Sequence, residues 1–459
     1  MGGGGFSVAA GVTCPQCADK PRDDPKTAMV TFTSLFLWLM TGIHPVMVAV
    51  DPVVSSVEIF LDGESVGIAT EPDWEVTCDF GQRLRPHELL AVARDARGRE
   101  IGRASQLVNL PRADAEVAIV FEGDSPEKPT MARVITESAE RLEPLAVYVT
   151  FDGVLLRQGV DGLYRLPSYD HRRAHIVSAE ARFPEGVTAR RDVTFGGLYG
   201  ERLTTELTAI PVVVDKKRKL KVSELRGVFR ACGEILRVAA VEREGGRVYM
   251  VRDHGVWPML RNTGRMIDRR NRSIRFFHHV RIGDEIPPQK DKFYLVVPNP
   301  TPSRGLSLFP ILRPIEIEKW GMPWLTTHIA SQQAAVPGQR LAEAVAVAGL
   351  RAAAGGCPRA VVLVLGDDPV DFSWFQPAVV REYLRDLHVP LVVWSTSGSR
   401  SAELWGGFSE KTTGLSSLGK ASQRLLKSLD RQWIVWVEGR HLPHEIEVAE
   451  NDCGFRLAG

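Results

Sequence analysis

Oxygen-bearing side chains cluster where apolar stretches end. Asp253 closes "RVYMVRD", Asp367 and Asp368 follow "RAVVLVLG", and Thr396 and Ser397 follow "VPLVVWS". Carboxylates and hydroxyls are the donors a hard cation such as Mg²⁺ takes, because it demands an octahedral set of oxygens. Other groupings are poorer. His278 and His279 precede Asp284 and Glu285, but adjacent residues on a strand face opposite ways and cannot share one metal without a bulge. His441, His444 and Glu445 read as a surface turn, and Ser416 and Ser417 as helix-capping residues. Cys14 and Cys17 have C-x-x-C spacing without the two further ligands zinc needs. The sequence holds no H-E-x-x-H and no P-loop. The expectation is a chain that is not an enzyme.

The elements that must position Asp253, Asp367, Asp368, Thr396 and Ser397 are alternating helices and strands. "RVYMV", "RAVVLVL" and "VPLVVWS" are apolar runs of the kind found in strands buried on both faces. Helical spacing marks residues 340–354, 377–388 and 416–432, and also 222–236; "WIVWVEG" reads as a final strand. This alternation predicts parallel strands joined by crossovers, hence an α/β doubly wound sheet over residues 222–459. Such sheets hold ligands beyond the carboxyl ends of their strands. Trp320, Trp324 and Trp374 lie in connecting segments and are candidate exposed anchors for a partner.

Upstream, the pattern is all-β and it repeats. "VEIFLDG" from Val57 echoes "VYVTFDG" from Val147; "HELLAVARDARG" from His87 echoes "HIVSAEARFPEG" from His175. Period-two alternation with an Asp-Gly turn signal predicts antiparallel hairpins. Two sandwiches are expected, over residues 53–122 and, more loosely, 130–214. His87 and His175 should begin strands in structural roles, and Trp74 should be a core aromatic. "DKKRKLK", residues 215–221, reads as a solvated linker.

Bulk properties narrow the class. A chain of 459 residues exceeds one ordinary core. A net charge of +1 gives no field for nucleic acid, and six cysteines make no disulfide framework. Residues 30–50 carry no charge and follow Lys20, Arg22 and Lys26. They are expected to be a secretory signal cleaved near Ala49 or a signal-anchor helix attached to a membrane, with Met29 as an alternative start.

Two resemblances follow from these motifs. The β units resemble bacterial immunoglobulin-like domains of secreted proteins. The stretches "VYMVRD", "GQRLAEAVAVAGLRAAAGG", "RAVVLVLGDDPVD" and "PAVVREYLRDLHVPLVVWS" resemble the divergent von Willebrand factor A domains that follow such units. That resemblance implies a metal-ion-dependent adhesion site built on Asp-x-Ser-x-Ser, a threonine and a late aspartate. Here Asp253 matches the first aspartate and Asp367 or Asp368 the last. Gly255 and Trp257 replace the serines and Gln339 the threonine, with Thr326 or Thr327 left as displaced hydroxyls. The site is therefore expected to be degenerate, with Mg²⁺ at most weakly held and no other cofactor. The expected function is extracytoplasmic, secreted or periplasmic, protein binding of the adhesion type. A scaffold subunit of an envelope assembly is the alternative, and a metal-dependent hydrolase a more remote one.

Overall fold

A computed structural model describes residues 30–123, 128–139, 142–170, 173–195, 207–214, 219–243, 245–253, 256, 291–296, 298, 315–316, 338–354, 356–366, 369–395, 400–412, 415–449 and 454–459. The first sandwich contains β1 (Val30–Phe32), β2 (Ile43–Val50), β3 (Ser56–Leu61), β4 (Glu64–Ala69), β5 (Glu75–Asp79), β6 (His87–Arg94) and β7 (Glu100–Val108). One sheet has the order β1-β2-β5 and the other β4-β3-β6-β7. Val46 and Cys78 from the first meet Val57, Ile59, Leu89 and Ala91 from the second, all at 0% exposure.

Residues 30–50 are thus strands and core, which corrects the expected signal segment. In β2, buried Val46 and Val48 alternate with exposed Ile43 and Met47, the signature of a half-buried strand. The intervening loop is apolar because Phe36 and Met40 fill the sandwich while Leu39 reaches the core of a later domain. Continuous hydrophobicity here reflects two cores, not a bilayer. Among the described residues no helix is long and apolar enough to cross a membrane.

The second sandwich contains β8 (Ala115–Glu122), β9 (Met131–Ser138), β10 (Ala146–Phe151), β11 (Val154–Leu155), β12 (Tyr164–Arg165), β13 (His175–Arg182) and β14 (Thr188–Phe195). Its sheets run β12-β9-β8 and β11-β10-β13-β14. The sequence echo is a structural one. Val57, Ile59 and Leu61 pair with Ala93, Ala91 and Leu89, while Val147, Val149 and Phe151 pair with Ala181, Ala179 and Val177. In both turns the Asp-Gly pair takes positive φ, at Asp62 and Gly63 and again at Asp152 and Gly153, as a tight hairpin turn of type I′ requires. Trp74 packs, partly buried, against the first core.

A third sandwich begins with β15 (Leu207–Val214), β16 (Phe229–Ala231), β17 (Glu234–Ile235) and β18 (Val238–Glu242). The chain then leaves it to build β19 (Arg247–Arg252), β20 (Lys292–Val296), β21 (Ile315–Glu316), α1 (Leu341–Ala353), β22 (Arg359–Leu365), α2 (Pro377–Asp386), β23 (Leu391–Ser395), α3 (Arg400–Leu404), β24 (Glu410–Lys411) and α4 (Leu415–Leu429). It returns through β25 (Gln432–Glu438), β26 (Ile446–Val448) and β27 (Phe455–Leu457). The returning strands close sheets of order β18-β25-β15-β27 and β17-β16-β26.

This arrangement differs from the sequence expectation in three ways. The strand "WIVWVEG" pairs antiparallel with β15 and stands outside the parallel sheet. Residues 207–214 belong with β25 and not with the second sandwich. Residues 222–236, spaced like a helix, form a 3-10 turn (Val222–Leu225) and the β16–β17 hairpin, with Gly233 and Cys232 both at positive φ in the turn. The buried set Leu225, Val228 and Phe229 fills the third core, so tertiary packing overrides a short periodic pattern.

The inserted α/β unit has one sheet of order β21-β20-β19-β22-β23-β24. All neighbours are parallel except β21. Successive residues of the central strands serve opposite faces. Tyr249, Val251, Leu363 and Leu365 lie with α1 and α2, while Val248, Met250, Val362 and Val364 lie with α4. The sheet is therefore covered on both faces. Helix α1 is alanine-rich because it is enclosed: Ala342, Ala344, Ala346 and Ala348 are all at 0% exposure. Leu39, Leu84 and Leu110 of the first sandwich and its linker join the same core.

Candidate functional site

The strand order reverses between β19 and β22. From β19 the chain moves to β20 on one side, and from β22 to β23 on the other. A crevice at the carboxyl ends of two such strands is where doubly wound sheets place ligands. Asp253 occupies that point, directly after β19, and is 1% exposed. Its main-chain N–H donates to Val364 O at 2.9 Å, which locks the strand end to β22.

Each carboxylate oxygen of Asp253 accepts from a nitrogen. Gln339 Nε2 donates to Oδ1 at 2.8 Å and the Gly366 main-chain N–H donates to Oδ2 at 3.0 Å. Gln339 Nε2 also donates to Val370 O at 2.6 Å. Beside Asp253, the Arg252 guanidinium is buried; burial pushes it down to about 10, opposed by the neighbouring carboxylate. Asp253 is thus balanced by N–H donors and a cation of the chain's own. Among the described residues no three His, Cys, Asp or Glu side chains gather in a way that could hold a metal ion.

Helix α1 starts without a capping side chain of its own, since Arg340 makes no such bond. Its free N–H groups are satisfied by the loop that follows β22. Asp371 Oδ1 accepts from Leu341 N at 2.9 Å, and Ser373 Oγ accepts from Ala342 N at 2.8 Å. The Ser373 N–H and hydroxyl both donate to Asp371 Oδ1. Trp374 N donates to Glu343 Oε1, and Phe372 N to Gln339 O at 2.9 Å. Burial raises the Glu343 carboxyl, with the Ser373 hydroxyl and Trp374 N–H opposing it.

This cap holds an apolar tip out to solvent. Val370 is 61% exposed, Phe372 60% and Trp374 69%. The backbone between them is fixed by the bonds to α1, so the three side chains project from a rigid mount. Of the residues singled out by sequence, the structure brings Asp253 and Gln339 into contact and sets Trp374 on the adjoining loop. Asp367, Asp368, Thr396, Ser397, Trp320, Trp324, Thr326 and Thr327 lie outside the described residues, as do Gly255, Trp257, His278, His279, Asp284, Glu285, Cys14 and Cys17. Sequence reading missed Asp371, Ser373 and Glu343. The signal was present as Asp-x-Ser shortly before "PAVVREYL", but it caps the preceding helix in the chain, not the one that follows.

His87 and His175 do begin strands, and each locks its Asp-Gly turn. His87 Nδ1 lies 2.7 Å from Asp62 Oδ2, and His175 Nδ1 lies 2.7 Å from Asp152 Oδ2. The second oxygen of each aspartate accepts the main-chain N–H of Glu88 or Ile176 at 2.9 Å.

These features define a class: three β-sandwiches in a row, the last interrupted by an α/β unit with helices on both faces. No family model matches the chain, and no curated protein is significantly similar to it. Among solved structures it is similar to the fibronectin(III)-like modules of Clostridium thermocellum CbhA, at 16% identity over 38% of this chain and 100% of that chain, with a TM-score of 0.15. It is similar to the central fibronectin-III array of RIM-binding protein, at 11% identity over 45% of this chain and 84% of that one, with a TM-score of 0.18. A third similarity is to proximal thread matrix protein 1 from the mussel byssus, at 11% identity over 46% of this chain and 51% of that chain, with a TM-score of 0.26.

Proposed function

We propose that the chain is a non-catalytic, extracytoplasmic protein-binding molecule. Its α/β unit is a divergent A-type domain whose adhesion site works without metal. The observation that carries this reading is the Gln339–Asp253 bond. An amide N–H stands against the carboxylate where the family resemblance calls for a cation and a threonine. Mg²⁺ needs oxygen ligands, and displacing this amide would take from Gln339 Nε2 one of its two acceptors. The strand order, with Asp253 at the reversal point, supports the domain assignment. With residues 30–50 in strands, the extracytoplasmic location rests on the modular sandwich architecture.

The binding surface we assign is the Val370–Phe372–Trp374 tip. Aromatic side chains held rigidly at a loop end lose little entropy on docking and supply large contact areas. The test has two parts. Titration calorimetry with Mg²⁺ and Mn²⁺, on the wild type and on Asp253→Ala, should show no saturable uptake by either. Tight uptake by the wild type alone would overturn the metal-free reading. Capture from an envelope extract should recover a partner with the wild type and lose it with Phe372→Ala/Trp374→Ala; equal capture by both would remove the tip from the interface.

A further inference from the structure

The 3-10 turn Pro443–Glu445 sits where three domains meet. It belongs to the third sandwich, between β25 and β26. The residue before it, Leu442, is 2% exposed and packs in the α/β core with α1 and α2. Pro443 O accepts from His388 Nε2 at 2.7 Å, just beyond the end of α2. His444 Nε2 lies 2.6 Å from Arg85 Nη2, which comes from the first sandwich next to β6.

The chemistry of that last bond is asymmetric. A guanidinium has donors and no lone pair, so Arg85 donates and His444 Nε2 accepts. The ring is then neutral with its proton on Nδ1. The one lone pair left on the imidazole is the one Arg85 occupies. A proton arriving on His444 must take that position, which removes the bond and sets two cations face to face.

We propose that the Pro443–Glu445 turn is an acid-sensitive latch between the first sandwich and the C-terminal half, released when a proton displaces Arg85 from His444 Nε2. The surrounding groups bear this out from each side. From the first sandwich, Arg85 and His87 oppose a charge on His444, while Asp62 favours it. Glu88 from the same sandwich is engaged by Arg440 at 3.2 Å. On the turn itself, burial raises the Glu445 carboxyl, with Asp62 and Glu88 adding to the rise, so this counter-charge fades as acid is added. From the α/β unit, His388 opposes the charge once it is itself protonated, and burial, with Arg359 beside it, pushes its own value down to about 4. Asp386 and the facing Arg83 and Arg385 complete the set, with burial raising the Asp386 carboxyl.

Burial first and Arg85 second push His444 from 6.5 down to about 4. A group with a depressed value in the closed form contributes fully above its open-form value. That contribution is lost as pH falls from 6.5 toward 4. Between neutral pH and a pH near 4.5, the closed-to-open ratio falls by up to about 70-fold.

Hydrogen–deuterium exchange on the full chain tests this, with rates corrected for the intrinsic effect of pH. Protection over Arg83–Leu90 and Arg440–Ile446 should drop on acidification by up to the same factor, while Val361–Leu365 in the sheet stays protected. His444→Gln offers Arg85 an amide oxygen that does not titrate, and should hold its protection. Unchanged protection in the wild type, equal loss in His444→Gln, or equal loss over Val361–Leu365 would each overturn the latch. Should the variant not fold, the wild-type His444 titration decides: a value near 4 supports the latch and one near 6.5 overturns it.

Discussion

Gln339 Nε2 donates to Asp253 Oδ1 at 2.8 Å and to Val370 O at 2.6 Å, so both amide protons are spent tying β19 to the loop after β22. The pair spans 86 residues of sequence and closes the crevice at the sheet's reversal point. Removing the amide leaves a buried carboxylate with one fewer donor and a carbonyl with none from this side chain. Gln339→Ala should therefore cost about 1–3 kcal/mol in urea unfolding. Millimolar Mg²⁺ should leave the wild-type Tm unchanged; a rise of several degrees would count against the metal-free site.

The hairpin lock of the second sandwich, Asp152 with His175, titrates in a defined direction. The hydrogen bond that His175 donates to Asp152, followed by the one it donates to Asp170 O, raises His175 above 6.5. The same His175 bond lowers the Asp152 carboxyl below 3.8. The sign follows from each. His175 contributes fully below 6.5 and its contribution is lost as pH rises through its raised value. Asp152 contributes above 3.8 and loses that contribution as pH falls through its lowered value. The lock is strongest between the two. His175 ring protons followed by NMR should titrate above 6.5, and Asp152→Asn should bring them down; no movement would show that the pair is not coupled.

Helices α1 and α2 touch at Gly349. A Cβ placed there would lie 2.7 Å from Leu384 Cδ1 and 2.9 Å from Leu384 Cγ. Leu384 is 1% exposed, so its side chain can shift only against packed neighbours. Gly349→Val should destabilise the α/β unit by about 1–3 kcal/mol through overpacking. Gly349→Val/Leu384→Ala should recover part of that loss in thermal melts; no recovery would place the strain elsewhere.

The inserted unit is fastened at its root by Gln432, which is 2% exposed at the start of β25. Its Oε1 accepts from Arg359 N at 2.9 Å and its Nε2 donates to Arg359 O at 3.0 Å, so one side chain acts as a short extra strand against β22. The Arg359 side chain in turn donates to Ala353 O and Leu387 O. Gln432→Ala unpairs two buried main-chain groups and should cost about 2–4 kcal/mol. Urea unfolding of Gln432→Ala that matches the wild type would show the root is held by other contacts.

Much of this was legible along the chain. The alternation in "VEIFLDG" and "VYVTFDG" determined two strands and their turns, because period two admits one buried face. The apolar runs "RVYMV" and "RAVVLVL" determined central parallel strands, and Asp253 was found because such strands end at ligand crevices. Local pattern cannot say which core a segment fills. Residues 30–50 carry the hydrophobicity of a membrane segment, yet only tertiary packing divides them between a sandwich and an α/β core. "WIVWVEG" has the composition of a parallel strand, but its partner is β15, more than two hundred residues earlier. The capping of α1 by Asp371 and Ser373, and the meeting of His444 with Arg85, are likewise decided in three dimensions. Hydrogen-bond partners are fixed by where surfaces meet, and sequence encodes each surface without naming its mate.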